Sequence, residues 1–90
     1  MKKVIITVIG KDTVGIIAKV CTYLAGAHIN ILDINQTIVQ DYFNMMMIVD
    51  MTKADRPLDQ VESELDVLGE EIGVKIRAQR EEIFTSMHRI

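Results

Sequence analysis

The sequence predicts an α+β sandwich in the order βαββαβ, a four-stranded antiparallel sheet with two helices on one face. Three observations predict it. Apolar residues recur at helical spacing in two separate places, Ile17, Val20, Cys21, Leu24 and Ala27, then Leu58, Val61, Leu65, Leu68 and Ile72. Four short apolar or alternating stretches surround these helices, and the middle two are joined by only Gln40 and Asp41. Ninety residues, finally, leave room for a single core.

Each element has its own justification. Val4 to Ile9 (VIITVI) is almost wholly apolar, as suits a central strand covered on at least one face, and Gly10 is expected to end it. The first helix is expected from Thr13 or Val14 to Ala27, with Asp12 or Thr13 as its cap. Gly26 and His28 mark its end. In the second strand, residues 29–39, Asn30, Leu32, Ile34, Gln36 and Ile38 share one face, while Ile31, Asp33, Asn35, Thr37 and Val39 share the other. A two-residue turn into the third strand, residues 42–51, sets Ile38 beside Phe43, Ile34 beside Met47 and Leu32 beside Val49. Pro57 opens the second helix, where its missing N–H is harmless. Asp59, Glu62, Glu64 and Asp66 give that helix a solvated acidic face, and Gly73 stops it. Val74, Ile76 and Ala78 alternate with Lys75, Arg77 and Gln79, the pattern of a half-exposed edge strand protected by charge.

Right-handed crossovers bring the third strand beside the first, which makes the fold ferredoxin-like. Residues 1–81 form this domain. Residues 82–90 are expected to be an amphipathic C-terminal tail with Ile83, Phe84, Met87 and Ile90 on one helical side, a short helix over 82–89 packing Ile83, Phe84 and Met87 on protein.

Composition narrows the function. Forty-nine per cent of the residues are hydrophobic, six of them methionine, which is high for one small domain. The expected open sheet face combines Ile5, Thr7 and Ile9 with Met46 and Ile48, too apolar to stay wet, so at least a homodimer is expected. The second strand, on the outside of the sheet, offers another route to pairing. The net charge of −3 is concentrated between Asp55 and Glu71, where seven acids and one base give −6 and leave +3 elsewhere. No nucleic-acid footprint is present in that pattern. A single cysteine, Cys21, excludes an intramolecular disulfide framework. Lys2 and Lys3 precede an apolar run too short for a signal peptide, and no stretch approaches a membrane span, so a soluble, cytoplasmic chain is expected.

Catalysis finds no constellation. Gly10 and Gly15 have the spacing of a phosphate-binding loop, but Ile16-Ile17 stands where lysine and a hydroxyl residue are needed. No arginine precedes Arg56, which removes an acylphosphatase-like site, and Ser63, Ser86 and His88 form no hydrolytic set. His28 and His88 are isolated, so no metal or cofactor is expected. The first strand has no aromatic residue on which to stack RNA bases. An enzyme is not expected.

What remains is the stretch from Asp12 through Gly15-Ile16 to Leu24, with Asn30-Ile31 opening the next strand. These residues resemble the ACT domain, a family of small βαββαβ modules that bind amino acids or similar metabolites and regulate enzymes or transcription. The likeness in element order covers about residues 1 to 80. Being one domain long, the chain resembles the stand-alone ACT proteins, relatives of the glycine cleavage system repressor, which carries two copies. The resemblance implies a ligand site at Asp12, Thr13, Val14, Gly15, Asn30 and Ile31, and a regulated protein partner. Physical chemistry agrees with such a site. A helix start favours a carboxylate, a glycine there leaves the amides accessible, and Asp12 and Asn30 suit an ammonium. The other reading is a ligand-free oligomerisation or adaptor module whose apolar excess is partner surface.

Overall fold

The computed structural model describes residues 2–11 and 14–82. The elements are β1 (Lys3–Lys11), α1 (Ile16–Gly26), β2 (Asn30–Val39), β3 (Tyr42–Asp50), α2 (Leu58–Ile72) and β4 (Val74–Arg80), in the βαββαβ order expected. The four strands form one antiparallel sheet in the order β2-β3-β1-β4, so the two most apolar strands are the central pair.

The core lies between one sheet face and the two helices. Val4, Ile6 and Val8 of β1, Phe43, Met45, Met47 and Val49 of β3, and Val74, Ile76 and Ala78 of β4 meet Ile16, Val20 and Leu24 of α1 and Val61 and Leu65 of α2. Each fully buried Leu or Ile contributes about 1.5–3 kcal/mol relative to an exposed one, and these side chains together hold the sandwich closed. Removing the Leu24 or Leu65 side chain back to alanine should cost about 2–5 kcal/mol.

Several local expectations are corrected. Gly10 does not end β1. It lies within the strand, paired with both Phe43 and Val74. A Cβ on Gly10 would come within 2.8 Å of Val74 Cγ1, so the glycine serves close approach rather than a turn. Helix α1 starts at Ile16, later than the expected Thr13 or Val14, and its N-cap is Gly15, not Asp12 or Thr13. Its buried stripe is Ile16, Val20 and Leu24, continued by Ala27, and Ile17 faces outward. The helix ends in a Schellman motif: Ile29 N–H donates to Leu24 O at 3.0 Å and His28 N–H to Ala25 O at 3.2 Å. The left-handed position of that motif, usually glycine, is taken by His28 at φ 59°.

The hairpin register holds at 39/42, 38/43 and 34/47 but not at 32/49. A β-bulge between Ile31 and Asp33 sets Ile31 opposite Val49. The extra residue reverses the alternation beyond it, so Ile31 packs on the core and Leu32 stays exposed. Ile34 and Ile38 also remain exposed, because β2 lies at the sheet edge. Pro57 is the N-cap of α2 in extended backbone, and Gly73, at φ 76°, is its left-handed C-cap as expected. No helix among the described residues is long and apolar enough to cross a membrane. The expected helical tail falls largely on residues 83–90, which lie outside the described residues.

Candidate functional site

The connection from β1 to α1 is built around Gly15. Its φ of 89° is a left-handed conformation that favours glycine, and beyond its chain neighbours no described residue stands within 4 Å of where a Cβ would be. Turning there lets the next side chain, Ile16, drop into the core, which anchors the first turn of α1. Lys19 N–H donates to the Gly15 carbonyl at 3.0 Å, the first bond of the helix. As N-cap, Gly15 has no side chain to accept the amides at the helix start, and the preceding Val14 is 100 % exposed. Among the described residues no side chain caps the amides at the helix start, where the positive end of the helix dipole lies. Asp12 and Thr13 lie outside the described residues.

The other two expected site residues are elsewhere. Asn30 begins β2 opposite Asp50, which pairs in turn with Lys3 at the start of β1. Gly15 follows Lys11 at the opposite end of that strand. Eight strand residues separate the two rows, about 26 Å, and α1 with its 11 residues spans about 16 Å between them. Asn30 is exposed, and Ile31 is half-buried against the core. One chain therefore does not bring Gly15 and Asn30 together.

A second polar constellation was read in the sequence only as a solvated acidic face. Tyr23 of α1 donates its hydroxyl to Glu64 Oε1 of α2 at 2.5 Å, and Arg56 Nη1 donates to the same oxygen at 2.7 Å. Gln60 Nε2 donates to Glu64 Oε2 at 2.9 Å, and Arg56 Nε donates to Asp55 Oδ1 at 2.6 Å. The guanidinium also lies 5.9 Å from the centre of the Tyr23 ring. The Tyr23 hydroxyl above all, with the Gln60 amide and Arg56, holds the Glu64 carboxyl down to about 2. Burial, then the bond to Glu64 and its charge, push the Tyr23 phenol up to about 12. Every strong group here already has a partner within the fold. The cluster fastens α1 to α2 and offers no obvious binding group. The (i, i+4) spacing of Gln60 and Glu64 was its only signal in the sequence.

A cavity of about 800 Å³ opens at the end of the sheet away from Gly15. Lys2, Lys3 and Arg80 face Asp59 and Glu82 across apolar walls such as Leu58. Of the expected site residues that are described, Val14, Gly15, Asn30 and Ile31, none lines it.

With this geometry in view, comparison with known proteins is informative. A family model described as the ACT domain matches residues 2–79. A UPF0237 protein of Bifidobacterium longum is 62% identical over 90 residues, covering 100% of both chains. An ACT domain protein from Streptococcus pneumoniae superimposes with a TM-score of 0.82 at 38% identity, over 92% of this chain and 93% of that one. A putative glycine cleavage system transcriptional repressor matches with a TM-score of 0.74 at 25% identity, over 88% of this chain and 45% of that one.

Proposed function

Because the chain belongs to the ACT domain family, we propose that it is a small regulatory module that binds a free amino acid or similar metabolite and so modulates a partner protein. The observation that carries this reading is the left-handed Gly15 before α1, with no described residue beyond its chain neighbours where a side chain would stand. A ligand carboxylate fits there against the amides at the helix start. Asp12, close in sequence, takes the ammonium.

Asn30 joins this site only from a second copy. Strand β2 is an outer strand, exposed along most of its length, with Leu32, Ile34, Ile38 and Val39 among its exposed apolar residues. Two such strands pairing antiparallel about a two-fold axis at mid-strand set Asn30 of the partner subunit beside Val39. Val39 stands in the row of Tyr42 and Lys11, the row from which residues 12–15 depart. A homodimer of this kind has two equivalent sites, each built from both chains. The exposed apolar residues of β2 also favour a second reading, a ligand-free oligomerisation module.

Thermal unfolding in the presence of each free amino acid tests the choice. A ligand at 100 times its dissociation constant adds about 2.7 kcal/mol, or roughly 10–20 °C for a domain of this size. A panel in which no amino acid raises the midpoint by more than a degree leaves the oligomerisation module as the function.

A further inference from the structure

The cavity of about 800 Å³ lies at the opposite end of the sheet from Gly15, and the proposed amino-acid site does not use it. It forms where the start of β1, the end of β4 and the loop after β3 meet the first turn of α2. Its floor is apolar: Val4 and Met51 belong to the buried core, and Ala54 and Leu58 pack against that core. Its walls are fastened. Met51 N–H donates to the Lys2 carbonyl at 2.8 Å, Ala54 N–H to the Met51 carbonyl at 3.1 Å, and Lys2 N–H to Thr52 Oγ1 at 3.2 Å. Arg56, held by Asp55 and Glu64, lines the cavity as part of the same frame. A site fixed in this way gives up little conformational freedom when it is filled.

Charge is divided around the lining. Lys2, Lys3 and Arg80 supply cations, and Asp59, Glu81 and Glu82 supply anions. Arg80 and Glu82 approach each other to 3.9 Å. The other four have no ion pair among the described residues. Unpaired cations and unpaired anions over one apolar floor match a molecule with a carboxylate, an ammonium and an apolar body. Size then decides among such molecules. Cavities of roughly 300–1,000 Å³ hold drug-sized ligands, and this one, at about 800 Å³, would be left mostly empty by a single amino acid. We propose that the cavity is a second binding site and takes a short peptide with apolar side chains, its carboxylate at Lys2 and Lys3 and its ammonium at Asp59 and Glu81. The two sites lie at opposite ends of one sheet, so this one stands whatever binds at Gly15.

Titration of the ¹⁵N-labelled full chain with trileucine tests this. The amide signals of Val4, Met51 and Leu58 should shift together and saturate, while those of Gly15 and Lys19 stay in place. At the cavity amides free leucine should bind at least about tenfold more weakly, and so should trileucine with its amine acetylated or its carboxylate amidated. Lys2 and Lys3 are exposed, so the double substitution Lys2→Gln and Lys3→Gln leaves the core intact. That variant should lose about tenfold in affinity for trileucine, and amidating the peptide should then make no further difference. The absence of a saturable shift at the cavity overturns the proposal, as do shifts centred on Gly15. Equal affinity for the charged and the capped peptides overturns it too.

Discussion

Replacing Gly69 by alanine tests how closely α2 lies on β4, and local propensity and tertiary packing give opposite signs. Gly69 sits within the 15-residue helix α2, where an Ala in place of Gly ordinarily gains about 1 kcal/mol. In this fold a Cβ at Gly69 would come within 2.6 Å of the Val74 carbonyl oxygen and 3.4 Å of Ile76 Cγ1. The nearer atom is backbone, held from the other side by β1, where Gly10 pairs with Val74. It cannot swing aside as a side-chain tip could. Overpacking of this kind costs about 1–3 kcal/mol, and rigid backbone argues for the upper part of that range. The net effect is a loss of about 1–2 kcal/mol once the propensity gain is subtracted, or roughly 4–16 °C in the thermal midpoint. Gly26→Ala is the control, since nothing stands within 4 Å of its Cβ at the end of α1. That variant should gain up to about 1 kcal/mol. Thermal and urea unfolding followed by circular dichroism measure both. A Gly69→Ala midpoint at or above wild type would refute the close helix–strand contact.

Other consequences follow from the same geometry. Glu64 binds its proton near 2 in the folded chain against an ordinary value of 4.5, so the unfolded chain holds more protons between those values. Stability should therefore be fully present above about 4.5 and fall as pH drops toward 2. Glu64→Gln should flatten that acid limb in a pH series of unfolding curves, and an unchanged slope would show that the carboxylate is not bonded as described. His28→Gly relieves a left-handed side chain and should raise stability by up to about 1 kcal/mol; a drop would contradict the Schellman geometry. The double substitution Ile34→Lys and Ile38→Lys, on exposed positions of β2, should give a 10.2 kDa monomer by light scattering at tens of micromolar, against the dimer proposed for the wild type. A persistent dimer would place the interface elsewhere.

Much of the fold is legible in the sequence because its signals are local and agree with one another. The α2 stripe, Pro57 and Gly73 each specify the same helix, and the alternation of β4 states which side is inward. What the sequence hides depends on geometry between elements. The bulge after Ile31 leaves no signature in an imperfect alternation, yet it moves Ile31 to the core and Leu32 outward. Gly10 looks like a strand end because only the structure shows Val74 against its Cα. For the same reason, Asn30 seems near Gly15 along the chain, since α1 folds between them and its length sets them apart. The bond of Tyr23 to Glu64 bridges two helices and Arg56 joins it from the loop before α2, so nothing in either helix alone announced them.

The central claim is a ligand site shared between two chains, and complementation tests it most directly. Asp12→Ala should weaken binding by about 1.5–3 kcal/mol through loss of a charge-assisted hydrogen bond, and Asn30→Ala by a comparable amount. In an unfolded and refolded equal mixture, about half of the dimers are mixed. Each mixed dimer carries one site with both substitutions and one with neither. Titration calorimetry with the amino acid identified by thermal unfolding should then recover wild-type affinity at about a quarter of the wild-type number of sites. A mixture that binds no better than its two components would contradict the shared site.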